Sequence, residues 1–278
     1  MNVLSLFDGI SCGRVALDRA GIRVNNYYAS EVDQGAISVA IDNHNGNINL
    51  GCVTKWRDWG IDFSTIDLVI GGSPCQGFSF AGNQLAFDDP RSALFFTFVD
   101  IVNHIKSLNK DVMFLLENVR MRKEFTDVIS DQLGVSPVRI NSSLVSAQMR
   151  DRNYWANWNI TLPPNKNIKL TDIIQGGYVE KEKSWCALES WSRFPVSTDS
   201  ARKRYSRSMM PIVFLSPCCS FENGWRELTV NEVERLQTLP DGYCRAVSDK
   251  KAKGLLGNGW TVDVITHIFN CMLKERSK

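Results

Sequence analysis

Through the first half of the chain, short apolar runs alternate with helix-length amphipathic stretches. The strand-like runs are residues 3–7, 24–30, 66–70 and 112–116, with a further short strand ahead of Cys52. Between them lie segments with helical spacing: 13–20 closed by Gly21, 33–43 with Asp33 as a cap, and 92–107. This alternation predicts a doubly wound α/β fold, a parallel sheet with helices on both faces. Two strand-like stretches, 138–145 and 153–158, follow with no helix between them, the pattern of a hairpin. From residue 159 the periodicity is lost among Pro163-Pro164, Gly176-Gly177, Pro195, Pro211 and Pro217. Helical spacing returns at 228–237, where Thr229 and Glu232 have the spacing of a capping box, and again at 262–273.

Composition narrows the class. A chain of 278 residues has room for one large domain, or one with a small companion. With 44% apolar and 22% charged residues it is neither disordered nor a coiled coil. No apolar run approaches the roughly 20 residues of a membrane helix, and the opening residues read as a strand rather than a signal peptide. Eight cysteines without a CxxC pair, and three histidines, predict no metal site and free thiols in a reducing compartment. The net charge of +2 hides an asymmetry: residues 159–211 hold nine Lys/Arg against five Asp/Glu. That excess fits either a solvated face or a polyanion-binding segment.

In a doubly wound sheet, ligands sit at the carboxyl ends of the strands, so the loops there are the ones to read. After the first comes Phe7-Asp8-Gly9-Ile10-Ser11-Cys12-Gly13, a glycine-flanked turn that is not GxGxxG. It is either a plain turn or a place where a ligand approaches the backbone. After the second comes Glu31, 22 residues past Gly9, a spacing suited to a ribose diol of a nucleoside-containing cofactor. After the fourth comes Gly71-Gly72-Ser73-Pro74-Cys75-Gln76-Gly77, which presents a thiol at the mouth of the sheet: a nucleophile, or a small buried residue. The next strand ends in Glu117-Asn118, a carboxyl on the same edge as Cys75 and placed to act as an acid. In Gln148-Met149-Arg150-Asp151-Arg152, read as a strand, the two arginines share a face and suit an anionic or carbonyl oxygen.

Taken in order, FDGISCG (7–13), GGSPCQGFS (71–79), ENV (117–119), QMRDR (148–152), RELTVNEVERLQTLPDGY (226–243) and GNGW (257–260) resemble the cytosine-C5 DNA methyltransferase family, most of all the catalytic domain of the eukaryotic de novo enzymes. The resemblance implies an S-adenosylmethionine-dependent, Rossmann-like methyltransferase sheet over 1–158 and 226–278, with a small target-recognition subdomain at 159–225. Cys75 would attack C6 of a cytosine flipped out of duplex DNA, Glu117 would protonate N3, Arg150 and Arg152 would orient the base and counter charge at its O2, and Asn118 and Arg150 would help position Glu117 and Cys75. The cofactor would lie against Phe7, Asp8, Gly9, Ile10, Ser11, Cys12, Glu31, Val32, Cys52, Val53, Pro74, Asn258, Gly259 and Trp260. Ser79, Arg202, Lys203, Arg204 and Arg207 would meet DNA, Arg204 or Arg207 reaching guanine edges. With no regulatory segment ahead of the first strand, the expected setting is the cytoplasm of a bacterium or a phage-infected host, in restriction–modification or a related role.

The sequence departs from the family at two cofactor positions. Cys52 stands where an Asp usually binds the adenine amino group, leaving that contact to Asp58 or to backbone. Gly259 stands where Ser is common. Three alternatives remain at this stage: the tRNA-methylating branch of the family, a catalytically silent DNA-binding subunit, and a small-molecule enzyme on a similar sheet.

Overall fold

The computed structural model describes residues 1–74, 93–193, 195 and 197–276. The chain forms two compact units: Met1–Ile140 with Asp151–Leu162 and Thr266–Lys278, and Asn141–Arg150 with Pro163–Ile265.

The first unit is built on β1 (Asn2–Leu6), β2 (Asn26–Ser30), β3 (Asn47–Asn49), β4 (Leu68–Gly71), β5 (Met113–Val119), β6 (Val138–Asn141) and β7 (Asp151–Ala156). Their order is β3-β2-β1-β4-β5-β7-β6. β4 is buried at every position, and β1 at all but Asn2. Strands covered on both faces read as near-continuous apolar runs, which is why these two were legible as such. β1 pairs in parallel with β2 on one side (Leu6 opposite Ser30) and with β4 on the other (Leu6 opposite Gly71). The strand order therefore reverses around β1, the topological switch point where ligands of such sheets bind.

The expected 138–145 and 153–158 hairpin is a neighbouring pair in the sheet, but β7 inserts between β5 and β6 and runs antiparallel to β5. The sheet is thus mixed rather than wholly parallel. Leaving β6, the chain enters β7 through the short loop 142–150, too short for a crossover helix, and so reverses direction.

Helices flank the sheet: α1 (Cys12–Arg19), α2 (Gln34–Asn43), α3 (Ala93–Leu108) and α4 (Lys123–Leu133). Asp33 caps α2, accepting from the Gly35 and Ala36 amides at 2.8 and 3.2 Å. α3 is held mainly by packing. Phe95, Phe98, Ile101, Val102 and Ile105 are all buried against Leu4, Leu6, Val69, Phe114 and Leu116. Each such side chain contributes about 1.5–3 kcal/mol, against roughly 1 kcal/mol for a good cap. α4 follows the same logic with Phe125, Ile129 and Leu133 on one face, and ends at Gly134 in the left-handed region.

The second unit carries α5 (Thr198–Ser206), a two-stranded sheet of β8 (Val213–Phe214) and β9 (Trp225–Arg226), α6 (Val230–Leu236) and α7 (Asp249–Asn258); α8 (Val262–Arg276) contributes residues to both units. The expected capping box forms on α6: Thr229 Oγ1 accepts from the Glu232 amide, and the Glu232 carboxylate accepts from the Thr229 amide. This unit is larger than the 159–225 expected for it, because buried amide side chains tie in the flanking segments. Gln148 Nε2 donates to Leu236 O (2.7 Å) and to Gln237 Oε1 (2.9 Å), while its Oε1 accepts from the Ala187 amide. Gln237 Nε2 reaches Leu256 O (2.6 Å) and Gly259 O (3.1 Å). Among the described residues, no helix is long and apolar enough to cross a membrane, and no group of three or more His, Cys, Asp or Glu could hold a metal ion.

Candidate active site

The turn after β1 is set by backbone conformation. Phe7, Gly9 and Ser11 all take positive φ (57°, 59° and 59°), and a Cβ built on Gly9 would meet nothing within 4 Å. Glycine suits position 9 through its φ rather than through space, while Phe7 and Ser11 hold the same φ against the usual preference. The turn is locked by Asp8. Its carboxylate accepts from Ser5 Oγ (2.6 Å), Tyr27 OH (2.7 Å) and Ser11 Oγ, and Ser11 Oγ accepts in turn from Asn47 Nδ2 (3.1 Å). Burial pushes the Asp8 carboxyl above its usual value; the hydroxyl donors work against that and the charge of Glu31 adds to it. Glu31 Oε2 accepts from the Gly9 amide at 2.8 Å, and Oε1 from the Val32 and Asp33 amides at 2.7 and 2.8 Å. The ends of β1 and β2 are therefore joined through one carboxylate, and the side chain of Val32 beside it is 63% exposed.

Ile10, Cys12 and Val53 were placed among the cofactor residues, but their side chains are buried in the core. Only their backbone can face a ligand. Cys52 differs: it lies at the outer end of the β3 segment, more exposed than these, hydrogen-bonded to Thr54 Oγ1 at 3.2 Å. That hydroxyl and the Thr54 amide lower its thiol below the usual range.

At the next strand ends, β4 and β5 pair in parallel with Gly71 opposite Leu116, so Glu117 stands where the chain leaves β4 toward Cys75. Asn118 is buried, and its Nδ2 donates to Ser73 Oγ (3.1 Å) and Ser73 O (3.3 Å). That bond fixes the stem two residues before the thiol. Cys75 and Ser79 lie outside the described residues; Pro74 is the last described residue of the stem, half-buried. On the other side β7 runs antiparallel to β5 with Val119 opposite Arg152, and Arg152 Nε meets Glu117 Oε1 at 3.0 Å. Both side chains are nearly buried, at 13% and 10% exposure. A charge-assisted contact so poorly solvated fixes the carboxyl's orientation.

Arg150 differs from expectation. It precedes β7 and does not alternate with Arg152 along a strand. Its guanidinium is buried and spent on backbone carbonyls of the second unit: Ala187 O (2.9 Å), Gly257 O (3.2 Å) and Gly259 O (2.8 Å), with Cys186 Sγ at 3.2 Å. Arg150 holds a loop and a helix end together, rather than presenting donors to a base. Gly257 works at the same junction: a Cβ there would lie 2.2 Å from the carbonyl carbon of Leu188. Asn258, Gly259 and Trp260, the remaining cofactor candidates, follow in the second unit, Asn258 exposed and the other two half-buried.

The four cations of the expected DNA-facing cluster divide in the same way. Arg204 donates to Arg193 O and Ser190 O, so its fork is used within the fold. Arg202 pairs with Glu222 at 2.6 Å and lies over the Phe221 ring. Lys203 and Arg207 are exposed and make no ion pair among the described residues. Several side chains that proved structural here drew no role from sequence, Tyr27, Asn47 and Gln237 among them. Gln237 was visible only as a polar residue at the end of an amphipathic helix.

The sheet order and the antiparallel β7 define a doubly wound, Rossmann-like methyltransferase fold. The solved Entamoeba histolytica methyltransferase EhMeth shares it, with a TM-score of 0.73 over 100% of this chain and 99% of that one, at 15% identity. The model of the C-5 cytosine-specific DNA methylase family matches residues 1–130 and 149–274, and the chain belongs to that family. Type II methyltransferase M.NlaX of Neisseria lactamica is 26% identical, with 96% of this chain and 94% of that protein aligned. Type II methyltransferase M1.ScrFI of Lactococcus lactis subsp. cremoris is 25% identical over 99% and 79% respectively.

Proposed function

We propose that the protein transfers a methyl group from S-adenosylmethionine to C5 of a cytosine flipped out of duplex DNA, through a covalent bond between Cys75 and C6. The observation that carries this reading is the edge where Glu117, oriented by Arg152, stands beside the stem to Cys75 that Asn118 pins. Cytosine C5 is a poor nucleophile. Attack of the Cys75 thiolate on C6, with Glu117 delivering a proton to N3, makes C5 enamine-like. Loss of the C5 proton after methylation expels Cys75 and restores the ring. A base inside a duplex is out of reach of such an edge, so it must leave the stack.

The turn after β1 fits the nucleoside part of the methyl donor. Glu31 has both oxygens at the switch point, Gly9 leaves the backbone bare, and exposed Val32 offers a flat apolar surface. When bound, S-adenosylmethionine supplies an electrophilic methyl. Glu31 would hold the ribose hydroxyls, and the half-buried thiol of Cys52 would take the place of the usual carboxylate at the adenine edge. In the second unit, exposed Lys203 and Arg207 are the phosphate contacts this reading favours, in place of Arg204.

Unmethylated duplex DNA incubated with the protein and S-adenosylmethionine is digested to nucleosides and analysed by mass spectrometry. A 5-methyldeoxycytidine peak is expected, absent for Cys75→Ser. No product from folded protein overturns the reading, and product from RNA alone moves it to the tRNA-methylating branch.

A further inference from the structure

The hairpin loop joining β8 to β9 carries two adjacent cysteines that the methylation chemistry does not use. Cys218 is exposed, and Cys219 beside it is half-buried in the left-handed region, at φ 49°. Asn223 Nδ2 donates to Cys218 Sγ at 2.8 Å, and Ser216 Oγ lies 3.3 Å from the same sulfur. Both contacts favour the charged form, and they lower the Cys218 thiol below its usual range. Cys219 moves the other way, raised by burial first and then by the nearby charge of Glu180. The pair thus sets an exposed sulfur, held by Asn223 and Ser216, next to a half-buried one, the arrangement of an attacking and a resolving thiol.

We propose that Cys218 and Cys219 are a peroxide-sensitive modification site, Cys218 being oxidised and Cys219 resolving it as a vicinal disulfide. In the first step the Cys218 thiolate attacks one oxygen of hydrogen peroxide. An S–O bond forms and the O–O bond breaks. The departing hydroxide takes a proton to become water, so the sulfur is oxidised as the peroxide is reduced. In the second step the Cys219 sulfur attacks Cys218. The S–S bond forms, the S–O bond breaks, and hydroxide leaves with the Cys219 proton as a second water. A dithiol reductant reverses the cycle by exchange.

Adjacent Cα atoms are about 3.8 Å apart, closer than the roughly 4.4–6.8 Å of ordinary disulfides. The eight-membered ring is therefore strained and readily reduced, which makes it a reversible mark rather than a staple. Closing it takes the sulfur from Asn223 and Ser216 and rebuilds the loop that holds Glu222 and Phe221 against Arg202.

The test uses the whole reduced protein, treated with limiting hydrogen peroxide, quenched with N-ethylmaleimide and digested. Peptide mapping keeps this pair distinct from Cys75 and Cys52. The expected 218–219 peptide is two hydrogens lighter and carries no maleimide, and dithiothreitol restores both alkylation sites. In Cys219→Ser, dimedone should capture Cys218 as its sulfenic acid. Asn223→Leu, on an exposed loop, should slow Cys218 oxidation several-fold. A wild-type peptide still doubly alkylated under conditions that oxidise other exposed thiols overturns the proposal. So does a Cys218→Ser protein whose Cys219 is oxidised as fast as Cys218 in the native chain.

Discussion

Arg150 and Arg152 stand two residues apart, yet they belong to regions built on different principles. Arg152 lies on β7 beside the carboxyl end of β5, and its guanidinium meets the Glu117 carboxylate at 3.0 Å. Arg150 lies in the polar hub of the second unit, where its donors are consumed by the carbonyls of Ala187, Gly257 and Gly259. At the strand ends, two nearly buried side chains hold one another. In the hub, amide and guanidinium side chains replace the backbone hydrogen bonds that a loop-rich segment cannot make with itself. Buried polar groups of both kinds are costly unless paired, so burial alone does not separate catalytic from architectural residues. The partners differ as well: a carboxylate for Arg152, backbone carbonyls for Arg150.

Substitutions at the two sites should therefore fail in different ways. The largest effect on turnover is expected at the edge. Glu117→Gln keeps an acceptor for Arg152 but removes the proton donor, so single-turnover methylation should fall about 10²- to 10⁴-fold with little change in melting temperature. A matching collapse of the fold would move Glu117 into the architectural class. In the hub the order reverses. Arg150→Met strands buried carbonyls, each costing about 1–3 kcal/mol when left unpaired, and should lower the thermal midpoint more than any edge substitution. An unchanged melt together with lost methylation would return Arg150 to the chemistry. Gly257→Ala should destabilise by about 1–3 kcal/mol through overpacking, because its Cβ would press on the Leu188–Glu189 backbone; denaturant titration checks this.

The smallest effect is a pH dependence in the hub. Glu234 is buried and accepts from the Gly242 and Cys244 amides, yet burial raises its carboxyl above the usual glutamate value. The native state then holds this proton to higher pH than the unfolded chain. Stability is lost as pH rises from the unfolded value through the raised native one, and is flat above it. Melting curves of the native protein against Glu234→Gln should show the native chain losing ground across that acid window. A native chain that gains there would mean the two amides outweigh burial.

Much of the first unit was legible because each device is local. β4 and the first part of β5 are apolar runs, and Asp33 caps α2 as its spacing implies; in the second unit the Thr229–Glu232 pair does the same for α6. Helix α4 is absent from the sequence reading, although Phe125, Ile129 and Leu133 recur at helical spacing and Gly134 stops it. The antiparallel insertion of β7 was not, since period-two alternation does not encode strand order. Strand alternation does not reach Arg150, which stands one residue before β7 in a segment fixed by partners 37 to 109 positions away. The basic cluster showed its charge but not its bookkeeping: Arg204 and Arg202 look like Lys203 and Arg207 until their acceptors are known.

Duplex DNA carrying 5-fluorodeoxycytidine at the target tests the central claim most directly, because fluorine at C5 cannot leave as a proton does. With S-adenosylmethionine present, the expected result is a denaturation-stable, one-to-one adduct whose digest places a methylated fluorocytosine on Cys75, absent for Cys75→Ser. Turnover of ordinary cytosine to 5-methylcytosine with no such adduct, or an adduct on another residue, would contradict the covalent route through Cys75.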